Sequence, residues 1–352
     1  MTASVVLSEL QLRDFSQRIL EAAGVPPPKA HQVALALTAA NLRGVDSHGV
    51  QLLPHYVDQI EAGDVDPHAE GHVISESGAC LLYDAEHGLG HVTSQICCAH
   101  AVRLAAQHGI SIVVAREASH FGPAAIWSQR ISAAGYIGIV MCDASPAVPP
   151  WQGKQGRLGT NPISVSVPNP GGKGWLLDMA TSTVSYGRLE KAALEDQQTI
   201  PVGWALDREG RPTTDLDTAL KGFLMPLGGY KGSGLAMMVE ILCGVLGGGA
   251  MSLEIRGIRQ HGRHSRVNHA FLAIDVARFL LPEDFHARME RLVEQVKSAA
   301  PAAGYDEVLV AGDPEWRAEE DRRRSGIPIP PGPWEALVRT AARLSVPLPQ
   351  VE

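Results

Sequence analysis

The stretch that most constrains the fold of this chain is PLGGYKGSGLAMMVEILCGVLGGGA, Pro226 to Ala250. It opens with closely spaced glycines around one lysine, Lys231, and continues as an apolar run from Leu235 to Leu246 that predicts a buried helix. Glycines allow a ligand to approach the backbone closely, and a helix N-terminus favours phosphate. The stretch therefore fits either a phosphate or dinucleotide cradle, or a flexible entry into a core helix with a solvated Lys231.

Composition narrows the class of protein. The 352 residues suffice for two domains or one large α/β domain, and 45% hydrophobic against 19% charged residues indicates a substantial core. A net charge of -8 argues against a nucleic-acid-binding protein, which usually has a basic surplus. The Lys-Gly-Ser order is not that of a Walker A loop, and the GxGxxG fingerprint of ordinary Rossmann domains is absent from the sequence.

The cysteines and the N-terminus indicate the compartment. Five scattered cysteines without a CxxC pair support neither a disulfide framework nor a zinc site, so we predict no metal. They are expected to be buried thiols in a reducing cytoplasm. The N-terminal segment lacks the long apolar core of a signal peptide, and no apolar run is long enough to cross a membrane.

Hydrophobic patterning predicts an α/β protein. Apolar strands at 111–115 and 136–141 flank a helix, which predicts a β-α-β unit with a parallel pair. Segments 163–167 and 175–178 flank the turn sequence PNPGGKG and predict a hairpin, and a further short strand is expected at 307–310.

Two polar clusters interrupt the apolar pattern. In NLRGVDSHGV, Asp46, Ser47 and His48 are adjacent, and histidine titrates near neutral pH, which suits proton transfer. The same residues also fit a helix C-terminus whose histidine contacts the last carbonyls. In ASHFGPAA, His120 ends a strand that feeds a helix, where α/β proteins place ligands, although a lone histidine there also fits a structural role.

Taken in order, these segments resemble one family. RGVDSHGV, SHFGPAA, LGTNPISVSVP, DMATS, IPVGWALD, PLGGYKGSGLAMMVEILCGVLGG and FLAID extend over nearly the whole chain. They resemble the malate/L-lactate dehydrogenase family of the non-Rossmann type, which includes ureidoglycolate dehydrogenase, diketogulonate reductase and the piperideine-2-carboxylate reductases.

The resemblance implies a mixed central sheet with flanking helices. It also implies a homodimer, in which residues 1–118 and 286–352 form a substrate and dimerisation domain and residues 119–285 a nicotinamide domain. The implied chemistry is NAD(P)-dependent hydride transfer between nicotinamide and a 2-oxo or 2-hydroxy acid. One alternative is reduction of a cyclic or N-substituted imino acid, and another is a protein of this fold that has lost redox turnover.

The resemblance also implies site residues. The expected catalytic residues are His48, Ser47 and His120, and the expected substrate contacts are Thr160, Arg43 and Arg188. The expected contacts to NAD or NADP come from three parts of the chain: His120, Phe121, Gly122, Pro123 and Ala124; Asp178, Met179 and Ala180; and Lys231, Gly232, Gly312, Asp313 and Pro314.

One departure from the family pattern affects the expected substrate. Leu52 stands where the family usually has an arginine that grips the substrate carboxylate. Either Arg43 or another cation takes over, or the substrate is not an ordinary small 2-oxo acid. In the second case, pyruvate and oxaloacetate are expected to be poor substrates. Arg188 is closer to the dehydrogenase branch than to the cyclic-imine reductases.

Overall fold

A seven-stranded mixed sheet forms the centre of the computed structural model, which describes residues 4–194 and 197–350. Within these residues the strands are β1 (Val5–Leu7), β2 (His72–Ser77), β3 (Cys80–Asp84), β4 (Ile110–Ala118), β5 (Tyr136–Cys142), β6 (Ile163–Ser166), β7 (Leu176–Met179), β8 (Ala205–Leu206), β9 (Pro212–Thr213), β10 (Phe223–Leu224), β11 (Val267–Asp275) and β12 (Ile327–Ile329). The helices are α1 (Glu9–Ala22), α2 (Pro27–Leu42), α3 (Leu53–Glu61), α4 (Gly90–His108), α5 (Ala124–Ser132), α6 (Tyr186–Leu194), α7 (Leu216–Lys221), α8 (Tyr230–Glu240), α9 (Pro282–Lys297), α10 (Asp313–Ser325) and α11 (Pro331–Arg343).

The strand order in the large sheet is β2-β3-β4-β11-β5-β6-β7. Only the β3–β4 pair is parallel among these neighbours. Strands β1 and β12 pair with each other, and β8 lies between β9 and β10 in a small separate sheet. The fold class predicted from the sequence, a mixed central sheet with flanking helices, is confirmed.

Each face of the large sheet is covered by helices. Helices α4 and α5 pack on one face through side chains such as Leu104 and Trp127. Val239 of α8 and Cys243 of the π-helical turn that follows pack on the other face. A separate helical layer joins α1, α2, α3 and α11, and Leu52, only 5% exposed, belongs to this core.

Three local predictions are wrong. Strands β4 and β5 run in the same direction, but β11 is inserted between them and pairs antiparallel with both. Residues 307–310 form no strand. The apolar run from Leu235 is helical but not wholly buried, because Met237 and Ile241 are 59% and 46% exposed.

No helix within the described ranges is long and apolar enough to cross a membrane. The division of the chain into a nicotinamide domain and a substrate domain stays a prediction.

Candidate active site

A tight turn after α2 positions Ser47 and His48. Asp46 begins this turn, and its carboxylate accepts hydrogen bonds from Arg322 at 2.6 and 2.9 Å and from the Asn41 amide at 2.7 Å. The Asn41 side-chain oxygen in turn accepts from the backbone N–H of Val50 at 2.8 Å. The turn is therefore fixed on both sides of His48.

The structure brings His48 and His120 together. Their rings are nearly parallel, with centroids 5.8 Å apart, and Ser47 Oγ lies 2.9 Å from His48 Nδ1. Gly187, at the start of α6, packs so closely on Ser47 that an added Cβ would lie 2.8 Å from the serine Cβ. The segments that follow α2 and β4 and the start of α6 thus converge on one point.

The hydrogen bonds of His120 define its tautomer. The backbone N–H of Gly122 donates to His120 Nδ1 at 3.2 Å, and the hydroxyl of Tyr56 lies 2.7 Å from the same nitrogen. A backbone N–H can only donate, so these partners assign Nδ1 as an acceptor, and Tyr56 also donates. The neutral ring of His120 therefore carries its proton on Nε2.

Both histidines are neutral at pH 7. Burial lowers the pKa of His48 to about 4. Burial, together with the charges of nearby histidines and of Arg259, lowers the pKa of His120 well below its ordinary value. Both rings nevertheless keep some access to solvent. Both rings are therefore half-buried side chains whose surroundings favour the neutral form.

Asp178 lies in the same kind of environment. Its carboxylate accepts the N–H of Ala125 at 3.0 Å in the first turn of α5, directly after the turn that holds His120. Surrounding protein raises its pKa to about 7, although the side chain remains exposed. Met179 ends β7 and Ala180 follows it, so the segment that begins at Asp178 contacts the chain directly after Ala124.

Hydrogen bonds connect the segment from Asp178 to Ala180 with the glycine-rich stretch at the start of α8. Thr181 bonds to the carbonyl of Thr160 through its N–H at 2.8 Å, and its own carbonyl accepts the N–H of Leu227 at 2.9 Å. A Cβ on Gly232 would lie 2.5 Å from the Thr181 carbonyl, so this glycine is required for close packing. Lys231 is exposed beside it in the first turn of α8.

The start of α8 suits an anion. In the described part of the chain, the Lys231 ammonium has no ion pair and the N–H groups of Tyr230 and Lys231 have no acceptor. Free N–H groups at a helix start together with a lysine are the donor set that binds a pyrophosphate. These residues fit the phosphates of a nicotinamide cofactor.

Gly312, Asp313 and Pro314 lie at the other end of β7. The N–H of Leu176 donates to the Ala311 carbonyl at 3.2 Å, which places the start of α10 against this strand. Asp313 is bound within the protein, because it accepts from Lys297 Nζ at 2.8 Å and from the Val310 N–H at 3.1 Å.

The three candidate substrate contacts differ in their availability. The Arg43 guanidinium bonds to Glu319 at 3.2 Å and lies 5.0 Å over the Trp316 ring, so protein partners hold it in place. Thr160 is half-buried beside Thr181. Arg188 is exposed and unpaired among the described residues.

Three neighbours of the histidine pair were not identified from sequence patterns. Tyr56 donates to His120, and His91 packs edge-on against Tyr56 with ring centroids 5.3 Å apart. The charge of Arg259 contributes to the low pKa of His120, and its guanidinium bonds to Glu190 at 2.8 Å. Tyr56 and His91 lie within helices, where an aromatic side chain is usually a core residue, and Arg259 lies in an irregular segment before β11.

Comparison with known proteins decides the family. The family model described as malate/L-lactate dehydrogenase matches residues 7–338. The chain belongs to this family. The resemblance inferred from the sequence motifs is confirmed, and the protein is an oxidoreductase of 2-oxo and 2-hydroxy acids.

Individual relatives are similar over most of their length. Malate dehydrogenase of Pyrococcus horikoshii is 38% identical over 344 residues, covering 96% of this chain and 94% of the relative. Its crystal structure superposes with a TM-score of 0.90, covering 98% of this chain and 97% of that one. L-sulfolactate dehydrogenase of Methanocaldococcus jannaschii is 33% identical, covering 88% of this chain and 89% of the relative. The structure of delta1-piperideine-2-carboxylate reductase from Pseudomonas syringae gives a TM-score of 0.84 at 29% identity, covering 96% of this chain and 99% of that one.

Proposed function

We propose that the protein is a nicotinamide-dependent 2-hydroxy acid dehydrogenase whose proton-transfer residue is His48. The observation that carries the proposal is the pair of half-buried histidines, His48 and His120, whose rings lie 5.8 Å apart. When bound, the cofactor would supply or accept the hydride. His120 to Ala124, Asp178 to Ala180, Lys231, Gly232 and Gly312 to Pro314 would hold it.

The two histidines have different roles in this proposal. With its Nδ1 hydrogen directed at Ser47 Oγ, His48 keeps Nε2 free as a base. Its low pKa leaves it neutral at pH 7, ready to take the proton of a substrate hydroxyl. His120 presents Nε2–H and orients the substrate oxygen, because Tyr56 and Gly122 occupy its other nitrogen.

We propose that arginines of other elements bind the substrate anion. Leu52 cannot do so, because its side chain is packed in the helical core. Arg188 lies next to Gly187, which contacts Ser47, and Arg259 is near enough to lower the pKa of His120. Two cations suit a 2-hydroxy acid with a second anionic group, such as malate or a sulfonated analogue. Two of the relatives above are named for such substrates, malate and L-sulfolactate.

The test is a substrate panel measured by NADH and NADPH absorbance. It contains oxaloacetate, sulfopyruvate, pyruvate and a cyclic 2-imino acid. Turnover of the dianionic 2-oxo acids, with weaker turnover of pyruvate, is expected. Exclusive turnover of the cyclic imine would favour the second candidate function, which the similarity to the piperideine-2-carboxylate reductase supports. Cofactor-dependent turnover of none of these compounds would refute both.

The proposal also includes a homodimer and a cytoplasmic location. The exposed apolar side chains Met237, Ile241, Val245 and Leu246 form one face of α8 and the following turn, which we propose is covered by a second copy in a homodimer. Sedimentation of the wild type against Ile241→Glu tests this. Five free cysteines fit a reducing cytoplasm.

A further inference from the structure

An irregular segment before β11, residues 256–266, carries Arg259 to the histidine pair. The Arg259 guanidinium pairs with Glu190 at 2.8 Å. Glu190 lies one helical turn after Gly187, which packs on Ser47. The position of this guanidinium beside the site therefore depends on what holds the 256–266 segment in place.

A stack of two imidazole rings holds the other side of the segment. His87 and His264 lie face to face, with ring centroids 3.7 Å apart and planes 1° from parallel. His264 Nδ1 donates to the Asp64 carbonyl at 2.9 Å, since a carbonyl oxygen can only accept. The Asp64 carboxylate accepts the N–H of Gly262 at 2.9 Å. These contacts tie the segment to the residues that follow α3 and β3.

The backbone around the stack is strained. Four residues other than glycine have a positive φ there: Glu86 (51°), His87 (61°), Glu117 (53°) and Arg266 (58°). Such residues cost free energy, persist only where neighbouring contacts hold them, and concentrate at functional sites. The contacts here are a hydrogen bond from the His87 N–H to the Glu117 carbonyl at 2.8 Å and an Arg266–Glu117 ion pair at 2.8 Å.

The stack suits neutral rings. His87 Nδ1 is buried without a hydrogen-bond partner among the described residues, and its distance of 3.6 Å to Glu117 Oε2 is too long for a hydrogen bond. Burial and the charge of the facing His264 lower the pKa of His87, although the carboxylates of Glu117 and Asp84 act in the opposite direction. A proton on each ring would place two like charges 3.7 Å apart.

Neighbouring charges do not offset two protons on the stack. Glu117 already pairs with Arg266 at 2.8 Å, and Asp84 pairs with Arg116 at 3.0 Å. The other charged or titratable side chains that adjoin the stack are Asp64, Glu86, Glu254, Arg256, His261 and Arg263. Each of the three carboxylates in this set already accepts a backbone N–H, and the two arginines add positive charge.

We infer that His87 and His264 are positioning residues for substrate binding, and that their neutral stack holds the 256–266 segment so that Arg259 meets the substrate anion. Protonation of both rings separates them, the segment leaves its strained geometry, and Arg259 is withdrawn. Affinity for the substrate anion then falls, while the groups that transfer the proton and the hydride stay in place. This inference rests on the proposed function, which gives Arg259 its ligand.

The test measures opening of the segment separately from turnover. Hydrogen exchange of the amides of residues 257–264, corrected for intrinsic rates, and KM for oxaloacetate are measured at pH 8 and pH 5.5. The wild type is compared with His264→Phe, which keeps an aromatic ring in the stack but takes no proton. The control is the exposed His108→Phe. If His264→Phe does not fold, His87→Asn replaces it, because asparagine tolerates a positive φ.

In the wild type, the exchange rate of these amides should rise about tenfold from pH 8 to pH 5.5. Each additional proton bound by the open state, at an ordinary histidine pKa of about 6.5, favours opening by a factor of about 11. KM should rise severalfold more in the wild type than in His264→Phe, at similar kcat. His264→Phe loses the bond to Asp64, so its exchange is faster at both pH values but nearly independent of pH. The control should behave as wild type.

Exchange that does not change with pH in the wild type, or a full wild-type rise in His264→Phe, would overturn the inference. A pH-dependent exchange rate with the same KM ratio in both proteins would also overturn it, because Arg259 would then not depend on the stack. These results alongside normal oxaloacetate reduction at pH 8 leave the proposed function intact. Absence of turnover of the whole substrate panel would instead refute the proposed function, whatever the exchange rates.

Discussion

Replacing His91 by leucine should reduce the acid sensitivity of the folded state. His91 is 1% exposed, its Nε2 has no hydrogen-bond partner in the described structure, and burial lowers its pKa to about 3. In the unfolded chain, a histidine has a pKa of about 6.5. Between these values the unfolded state binds the additional proton, so stability is complete above pH 6.5 and falls as the pH drops through this window.

The magnitude follows from linkage. At pH 5 the unfolded histidine gains RT ln(1 + 10^1.5), which is about 2 kcal/mol, while the folded one gains almost nothing. Other buried groups contribute to the total with both signs: His48 acts in the same direction, whereas the raised pKa of Asp143 acts in the opposite one. The informative quantity is therefore the difference between variant and wild type.

The assay is urea unfolding at pH 8 and pH 5. The free energy of unfolding of the wild type should lose about 2 kcal/mol more between these pH values than that of His91→Leu. The control His68→Leu removes an exposed histidine and should keep the wild-type pH difference. A His91→Leu protein with the full wild-type pH difference would refute the reasoning, whatever its absolute stability.

Three further predictions concern the site. Gly49→Ala should destabilise the fold by ~2–4 kcal/mol in urea unfolding, because its Cβ would lie 2.2 Å from Asn41 Oδ1 and disrupt the turn that holds His48; wild-type stability would contradict this. Tyr56→Phe should lower kcat/KM about tenfold by removing one donor to His120, at unchanged NADH affinity, and an unaltered kcat/KM would count against the tautomer assignment. NAD⁺ should bind more tightly at pH 8 than at pH 6, because Asp178 has a pKa of about 7 and ionises between these pH values. Asp178→Asn should abolish this difference in affinity. A difference that persists in Asp178→Asn would exclude Asp178 as the cause.

Local signals predicted local structure well. Ser8 and Gln11 have the residue types and the three-residue spacing of a capping box, and both of its hydrogen bonds are present at the start of α1. The hairpin expected around PNPGGKG is present as β6 and β7 in antiparallel register. In both cases the residues that determine the structure are within a few positions of each other.

Long-range pairing could not be predicted in the same way. Strand β11 follows β5 by more than a hundred residues, and nothing within 111–141 indicates that it separates β4 from β5. The Tyr56–His120 hydrogen bond joins residues 64 positions apart. Motifs identified the histidines as candidates, but only the fold shows which side chains set their tautomers and pKa values.

The most direct test of the account is His48→Asn, measured for both turnover and cofactor binding. Loss of the proton-transfer group should lower kcat/KM by ~10²–10⁴-fold. NADH affinity, measured by fluorescence, should be unchanged, and the exposed His108→Asn should behave as wild type in both assays. Retained turnover in His48→Asn, or turnover lost only together with NADH binding, would contradict the assignment of His48 as the proton-transfer residue.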